Sequence, residues 1–120
     1  MNASAEKIGR LTTHVLDTAF GKPANGLKIE LFKMVDGKAI AIKTIETNDD
    51  GRADAPLLEG AELEQGFYEL HFHVGDYYKQ ADPVSFLGVV PVRFGVCETD
   101  QHYHVPLLVS PYGYSTYRGS

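Results

Sequence analysis

The chain has 120 residues, 43% of them hydrophobic and 22% charged, with a net charge of −5. That length suits one domain, which buries roughly two-thirds of its unfolded surface on folding. The acidic balance without a basic stripe argues against a nucleic-acid or anionic-membrane partner, and the single cysteine, Cys97, excludes an internal disulfide framework.

In chain order, the opening "MNASAEKIGR" has no apolar signal core and is expected to be a flexible polar extension over residues 1–9 of a single domain spanning 1–120. No later run is long enough to span a bilayer, and the closing "RGS" is not a peroxisomal tripeptide, so a cytoplasmic protein is expected. From there the dominant period is two. "LTTHVL" (11–16) sets Leu11, Thr13 and Val15 against Thr12, His14 and Leu16. "LKIELFKM" (27–34) places Leu27, Ile29 and Leu31 on one face, and "AIAIKTIE" (39–46) is β-branched and apolar. "FYELHFHV" (67–74) alternates Tyr68, Leu70, Phe72 and Val74 with Glu69, His71 and His73. "VRFGV" (92–96), "QHYHVPLLV" (101–109) and the tail complete seven or eight short strands, the pattern of a β-sandwich or barrel.

The punctuation agrees. "GKPANG" (21–26), "VDGK" (35–38), "NDDGR" (48–52) and "SPYG" (110–113) join Gly to Pro, Asn or Asp, the residues that supply fixed or positive φ. One short helix is expected near "GDYYKQA" (75–81), and "EGAELEQG" (59–66), bounded by glycines, reads as a loop. The "SPYG" turn predicts that the tail folds back on "HYHVPLLV" as the last strand of a hairpin, bringing Gly113, Ser115 and Tyr117 onto the face of His104 in one register.

Histidine is the residue type that carries chemical information. His71/His73 and His102/His104 form two H-x-H pairs, and residues two apart on a strand share a face about 6.5–7 Å apart, within reach of a shared metal. The 71/73 pair reads as a wet sheet face, because the opposite face carries the core. The 102/104 pair shares its face with Pro106 and Leu108, a mixed surface that fits a cleft or a subunit interface. Pro106 cannot donate to a ladder, so it requires an edge, a bulge or a gap in the pairing. No third and fourth ligands are spaced for a metal, and spacing alone leaves His14 and Arg52 as ordinary surface residues. G-x-S-x-G, P-loop, G-x-G-x-x-G and H-E-x-x-H motifs are absent.

Two longer stretches are more specific. "HVLDTAFGKPANGLKI" (14–29) and "YHVPLLVSPYGYS" (103–115) resemble the N- and C-terminal signatures of the transthyretin family, and "TNDDGRAD" (47–54) resembles its connecting turn. The resemblance spans nearly the whole chain and implies an all-β, eight-stranded transthyretin-like sandwich with one short helix. His14, Arg52, His104 and the ending "YRGS" match the branch that hydrolyses 5-hydroxyisourate, whereas the hormone-carrying branch has lysine, glutamate and threonine at the first three positions.

That branch implies catalytic roles for His14, Arg52, His104 and Ser120, with Tyr117, Arg118 and Gly119 joining His14 and Arg52 in holding the substrate. A histidine near its ordinary pKa can act as the base for water, with His104 the preferred base, and the planar, always charged guanidinium of Arg52 suits an oxyanion. The resemblance implies no cofactor and no required metal, although His14 and His104 could pick up zinc adventitiously. It also implies a homotetramer, a dimer of dimers, acting on a small purine-derived substrate. A carrier of a small aromatic ligand on the same fold is the alternative; Tyr117, bulky where the carrier branch has threonine, speaks against it.

Overall fold

Alternation of apolar and polar residues decides which face of each strand is buried, since successive side chains of a pleated strand point to opposite sides. In β1 (Arg10–Asp17), Leu11, Thr13, Val15 and Asp17 turn inward, while Thr12 and His14 stay half-buried on the outer face. This computed structural model describes residues 8–119. Residues 1–7, most of the expected N-terminal extension, and Ser120 lie outside the described residues. Gly9 is buried and accepts a hydrogen bond from Gly60 N–H.

Two sheets form. The first has the order β2 (Lys22–Pro23), β1, β8 (His102–Ser110) and β9 (Gly113–Thr116), with β5 (Leu58–Glu59) also paired to β1. The second has the order β4 (Lys38–Glu46), β3 (Lys28–Val35), β6 (Gly66–His73) and β7 (Val89–Val96). Among the described residues, seven strands of four or more residues and two of two residues, with one α-helix, make the expected transthyretin-like sandwich. There are nine strands in place of eight because two short pairings to β1 count as strands. Its core unites residues from both sheets, including Leu11, Val15 and Leu107 from one and Ile29, Leu70 and Phe72 from the other, each 0–1% exposed. Burying such a side chain contributes about 1.5–3 kcal/mol.

The β1–β8 pair is parallel, unlike the other pairings between the named strands. Its register sets Arg10 beside His102, Thr12 beside His104 and His14 beside Pro106. Outward-facing residues far apart in the chain thereby share one patch.

Strand β4 departs from its apolar appearance. It is exposed along almost its whole length, with Ile40 51% and Ile42 43% exposed, because it occupies a sheet edge. Its β-branched residues suit the extended backbone without requiring a core position. Segment 59–66 is not loop throughout, since Glu59 belongs to β5 and Gly60–Glu62 forms one 3-10 turn.

The helix α1 (Val74–Tyr78) begins one residue before the expected stretch and stops at Lys79, whose φ of 48° is left-handed. It is pinned to β1 through Asp17, which is 1% exposed. Tyr77 and Tyr78 donate their hydroxyl hydrogens to its carboxylate at 2.8 Å, and the Ala19 and Phe20 N–H groups donate at 3.0 and 3.2 Å. A carboxylate removed from water needs such partners. Burial first, and then Asp17, push the Tyr77 hydroxyl up to about 12. Among the described residues no helix is long and apolar enough to cross a membrane.

Candidate active site

Arg52 owes its position to the turn that precedes it. Asn48 Oδ1 accepts hydrogen bonds from Asp50 N–H and Arg52 N–H at 2.9 and 3.1 Å, and Gly51 N–H donates to the Asn48 carbonyl. Gly51 has φ 75° and lies so close to β1 that a Cβ there would meet the Val15 carbonyl oxygen at 2.4 Å. Only glycine fits both conditions. Val15 N–H donates to the Gly51 carbonyl at 2.8 Å, and His14 and Arg52 then form an antiparallel bridge.

His14 is half-buried, and its pKa is held below the ordinary histidine value by burial first and the Arg52 guanidinium second. A hydrogen bond to the Asp50 backbone and the Asp50 charge oppose this shift. His104 is lowered by burial, then by Arg52, His102 and His14. The physical cause is common to both rings: a low-dielectric setting beside a fixed cation disfavours imidazolium. At neutral pH His14 and His104 are therefore proton acceptors.

The parallel register adds two residues that the sequence reading left without a role. Thr12 Oγ1 lies 2.8 Å from His104 Nδ1 and 2.6 Å from His102 Nε2. Thr12 and His104 are 92 residues apart in the chain, so no local spacing announces the contact. His102 shared a face with His104 by alternation, which was the one signal available. Burial, Arg10 and Arg118 lower its pKa.

The chain's last described residues close on the same strand. Strand β9 pairs with β8 in the register Ser110 to Gly113 and Leu108 to Ser115, then ends at Thr116. Pairing resumes at a bridge between His104 and Gly119, with Gly119 N–H donating to the His104 carbonyl at 2.7 Å. The interruption falls beside Pro106, which has no N–H to offer and whose carbonyl accepts the Thr116 hydroxyl at 2.7 Å. A Cβ at position 119 would lie 2.6 Å from His104 Cδ2, so Gly119 permits the tail to run flat against the ring. Arg118 stacks 4.2 Å from the Tyr103 ring centre and donates to Gln101 Oε1 at 2.8 Å.

These residues surround two adjoining hollows. A cleft of about 350 Å³ is lined by Arg10, Thr12, Arg52, His102, His104 and the 53–56 segment. A wider hollow of about 880 Å³ shares Arg10 and His102 with it and adds Tyr117, Arg118 and Gly119. Arg52 and His104 thus line one cleft, His14 flanks it on β1, and the tail residues stand around the neighbouring hollow. Tyr117 is 59% exposed. Ser120, expected to act beside them, lies outside the described residues.

The other histidine pair is arranged differently. His71 bonds Glu69 at 2.9 Å, Glu69 also pairs with Arg93 at 2.6 Å, and His73 bonds Glu30 at 2.6 Å. Both carboxyls are held below the usual carboxylate range, mainly by these histidine hydrogen bonds. This is a paired polar sheet face. Among the described residues no group of three or more His, Cys, Asp or Glu side chains is placed to hold a metal ion.

A cleft with a neutral imidazole, a fixed guanidinium and a second imidazole at its edge can accept a proton and stabilise an oxyanion together. The HIUase/transthyretin family profile matches residues 11–119. The chain belongs to the HIUase/transthyretin family. As a member of that family it is 60% identical over 119 residues to 5-hydroxyisourate hydrolase 2 of Rhizobium meliloti (strain 1021), covering 95% of this chain and 98% of the relative. It overlays on the crystal structure of (S)-allantoin synthase with a TM-score of 0.89 and 43% identity, covering 97% of this chain. It spans 45% of that longer chain. Sea bream transthyretin in complex with thyroxine is matched at TM-score 0.83 with 27% identity, over 92% of this chain and 94% of that one. Within the family, similarity in sequence is thus much higher to the named hydrolase than to the named thyroxine complex.

Proposed function

We propose that this protein hydrolyses 5-hydroxyisourate to 2-oxo-4-hydroxy-4-carboxy-5-ureidoimidazoline, a step of urate degradation. The observation that carries the reading is the His104 imidazole, 2.8 Å from Thr12 Oγ1 and lining a cleft it shares with Arg52. The 60% identity to a named hydroxyisourate hydrolase supports the choice of substrate.

In the proposed reaction, His104 takes a proton from water through Nε2 as the water oxygen bonds to a ring carbonyl carbon. The carbonyl π electrons move to oxygen, and the Arg52 guanidinium neutralises that oxyanion. When the carbonyl re-forms, the ring C–N bond breaks and its nitrogen recovers the proton from His104. The products of that step are a carboxyl group and a ureido N–H, so one water is consumed and no redox partner is needed. A positioned base contributes on the order of 10²–10⁴-fold and one oxyanion donor on the order of 10²–10³-fold. His14 assists in water activation and proton transfer, Ser120 shares in catalysis, and Tyr117, Arg118 and Gly119 border the bound substrate. No step is routed through a metal or a cofactor.

The acting form in this reading is a homotetramer, a dimer of dimers. Among the described residues no second layer covers the histidine-bearing outer face of the first sheet, and Phe86, Tyr112 and Tyr114 are 71, 65 and 47% exposed. A sedimentation mass near the 13.2 kDa of one chain would refute the assembly.

Freshly generated hydroxyisourate mixed with purified protein tests the reaction. Accelerated decay of its absorbance is expected. Saturable binding of an iodinated aromatic with no acceleration would replace the enzyme with a carrier.

A further inference from the structure

The hydroxyl of Thr12 lies between two imidazoles, 2.6 Å from His102 Nε2 and 2.8 Å from His104 Nδ1. A hydroxyl has one hydrogen to donate and lone pairs to accept with. It can therefore donate to one ring only, and when it does the other ring must donate an N–H to Oγ1. With both rings neutral and the hydroxyl hydrogen kept between them, two arrangements remain. In the first, His104 donates Nδ1–H to Oγ1 and Thr12 donates to His102 Nε2, which leaves His104 Nε2 as a free base. In the second, His102 donates Nε2–H to Oγ1 and Thr12 donates to His104 Nδ1, which leaves His104 carrying its proton on Nε2 as an acid. Both rings are Nδ1–H in the first arrangement and both are Nε2–H in the second.

We propose that Thr12 is a positioning residue that locks the tautomers of His102 and His104 together and relays a proton between them. This rests on the hydrolysis reading above for its kinetic part and on hydrogen-bond counting for the rest. As His104 Nε2 takes the water proton, the Nδ1 proton passes to Oγ1 and the Oγ1 proton passes to His102 Nε2. Three bonds to hydrogen break, three form, and the positive charge moves from the His104 ring to His102. His104 is then neutral with a proton on Nε2, ready for the departing nitrogen. Donation of that proton runs the shift backwards and restores the starting arrangement.

The fold favours such a relay in two ways. The parallel register of β1 and β8 fixes Thr12 beside both histidines, and threonine's branched Cβ restricts its rotamer. The relay also removes positive charge from the ring that faces Arg52. His102 is the less buried ring and borders the wider hollow, where water and Asp100 can accommodate a charge. Among the described residues, the other charged or titratable groups around the pair are Arg10 and His14 of β1, Arg52 and Asp54 after β4, and Tyr117 and Arg118 of the tail.

The test uses the full chain as wild type, Thr12→Val and Thr12→Ser. Without substrate, nitrogen NMR of the imidazoles should show His102 and His104 with matching tautomers in wild type and Thr12→Ser, and unlinked tautomers in Thr12→Val. Opposite tautomers in wild type, or no change in Thr12→Val, would overturn the proposal. In the hydroxyisourate assay, Thr12→Val should lose on the order of 10²-fold in kcat and Thr12→Ser should recover most of it. Equal kcat in wild type and a folded Thr12→Val also overturns the relay. An inactive wild type would sink the hydrolysis reading, and the tautomer measurement would then decide the locking role by itself.

Discussion

His104 shows how a residue acquires a role from what surrounds it rather than from its type. Burial and Arg52 disfavour its charged form, so its folded pKa lies below 6.5. A base must be neutral to act, so kcat/KM should decline on the acid side, with half its value lost only below the ordinary histidine pKa. Measured between about pH 5 and 8, the acid limb should have its midpoint below 6.5. Arg52→Gln, which removes one of the depressing charges, should move the midpoint upward. A midpoint above 6.5 in wild type would contradict the assignment. Alternation placed His14 and His104 on outward faces, but it could not say what they meet. The bond from Thr12 to His102 joins residues 90 positions apart and exists only through the β1–β8 register. Arg52 was legible through its turn: "NDDGR" announces a tight reversal, while its proximity to His14 depends on Gly51 pressing against Val15.

Among the elements, the tail was expected from its turn to fold back as the last strand of a hairpin, and it does. Composition alone makes "SPYGYSTYRGS" a frayed end, yet the Ser110–Gly113 turn and the β8 register carry it back to His104. Proline at 106 marks in the sequence where that ladder lapses, so this part of the hairpin was legible. The packing of Gly119 against the ring was not, because it depends on distances of a few ångströms. Gly119→Ala should force the His104 ring aside and lower kcat about 10²-fold, with melting nearly unchanged. Wild-type turnover in that variant would remove the tail from the account. Ending the chain at Thr116 should abolish turnover but leave a folded protein, since β9 is complete and the buried core includes no residue after Val109. Loss of Arg118 from Tyr103 should cost only a few degrees of melting temperature for a domain of this size. Unfolding of the shortened chain would make the tail structural instead.

For the whole molecule, the two-residue period marked the seven longer strands and their core faces, because each depends on neighbouring residues, but not the two-residue strands β2 and β5. The exposure of β4 was not legible. The segment is β-branched and apolar, but its edge position follows from sheet order, which local sequence does not encode. The site lies where three distant segments meet: the outer face of β1 and β8, the turn before Arg52, and the tail. Such an arrangement needs a rigid sandwich to hold an imidazole and a guanidinium around one cleft. In the proposed function, hydroxyisourate is opened with His104 as the base. Decay of freshly generated 5-hydroxyisourate should be strongly accelerated by wild type, and His104→Asn should lose on the order of 10²–10⁴-fold while keeping its fold. A wild type no faster than buffer, or a His104→Asn variant as fast as wild type, would contradict it.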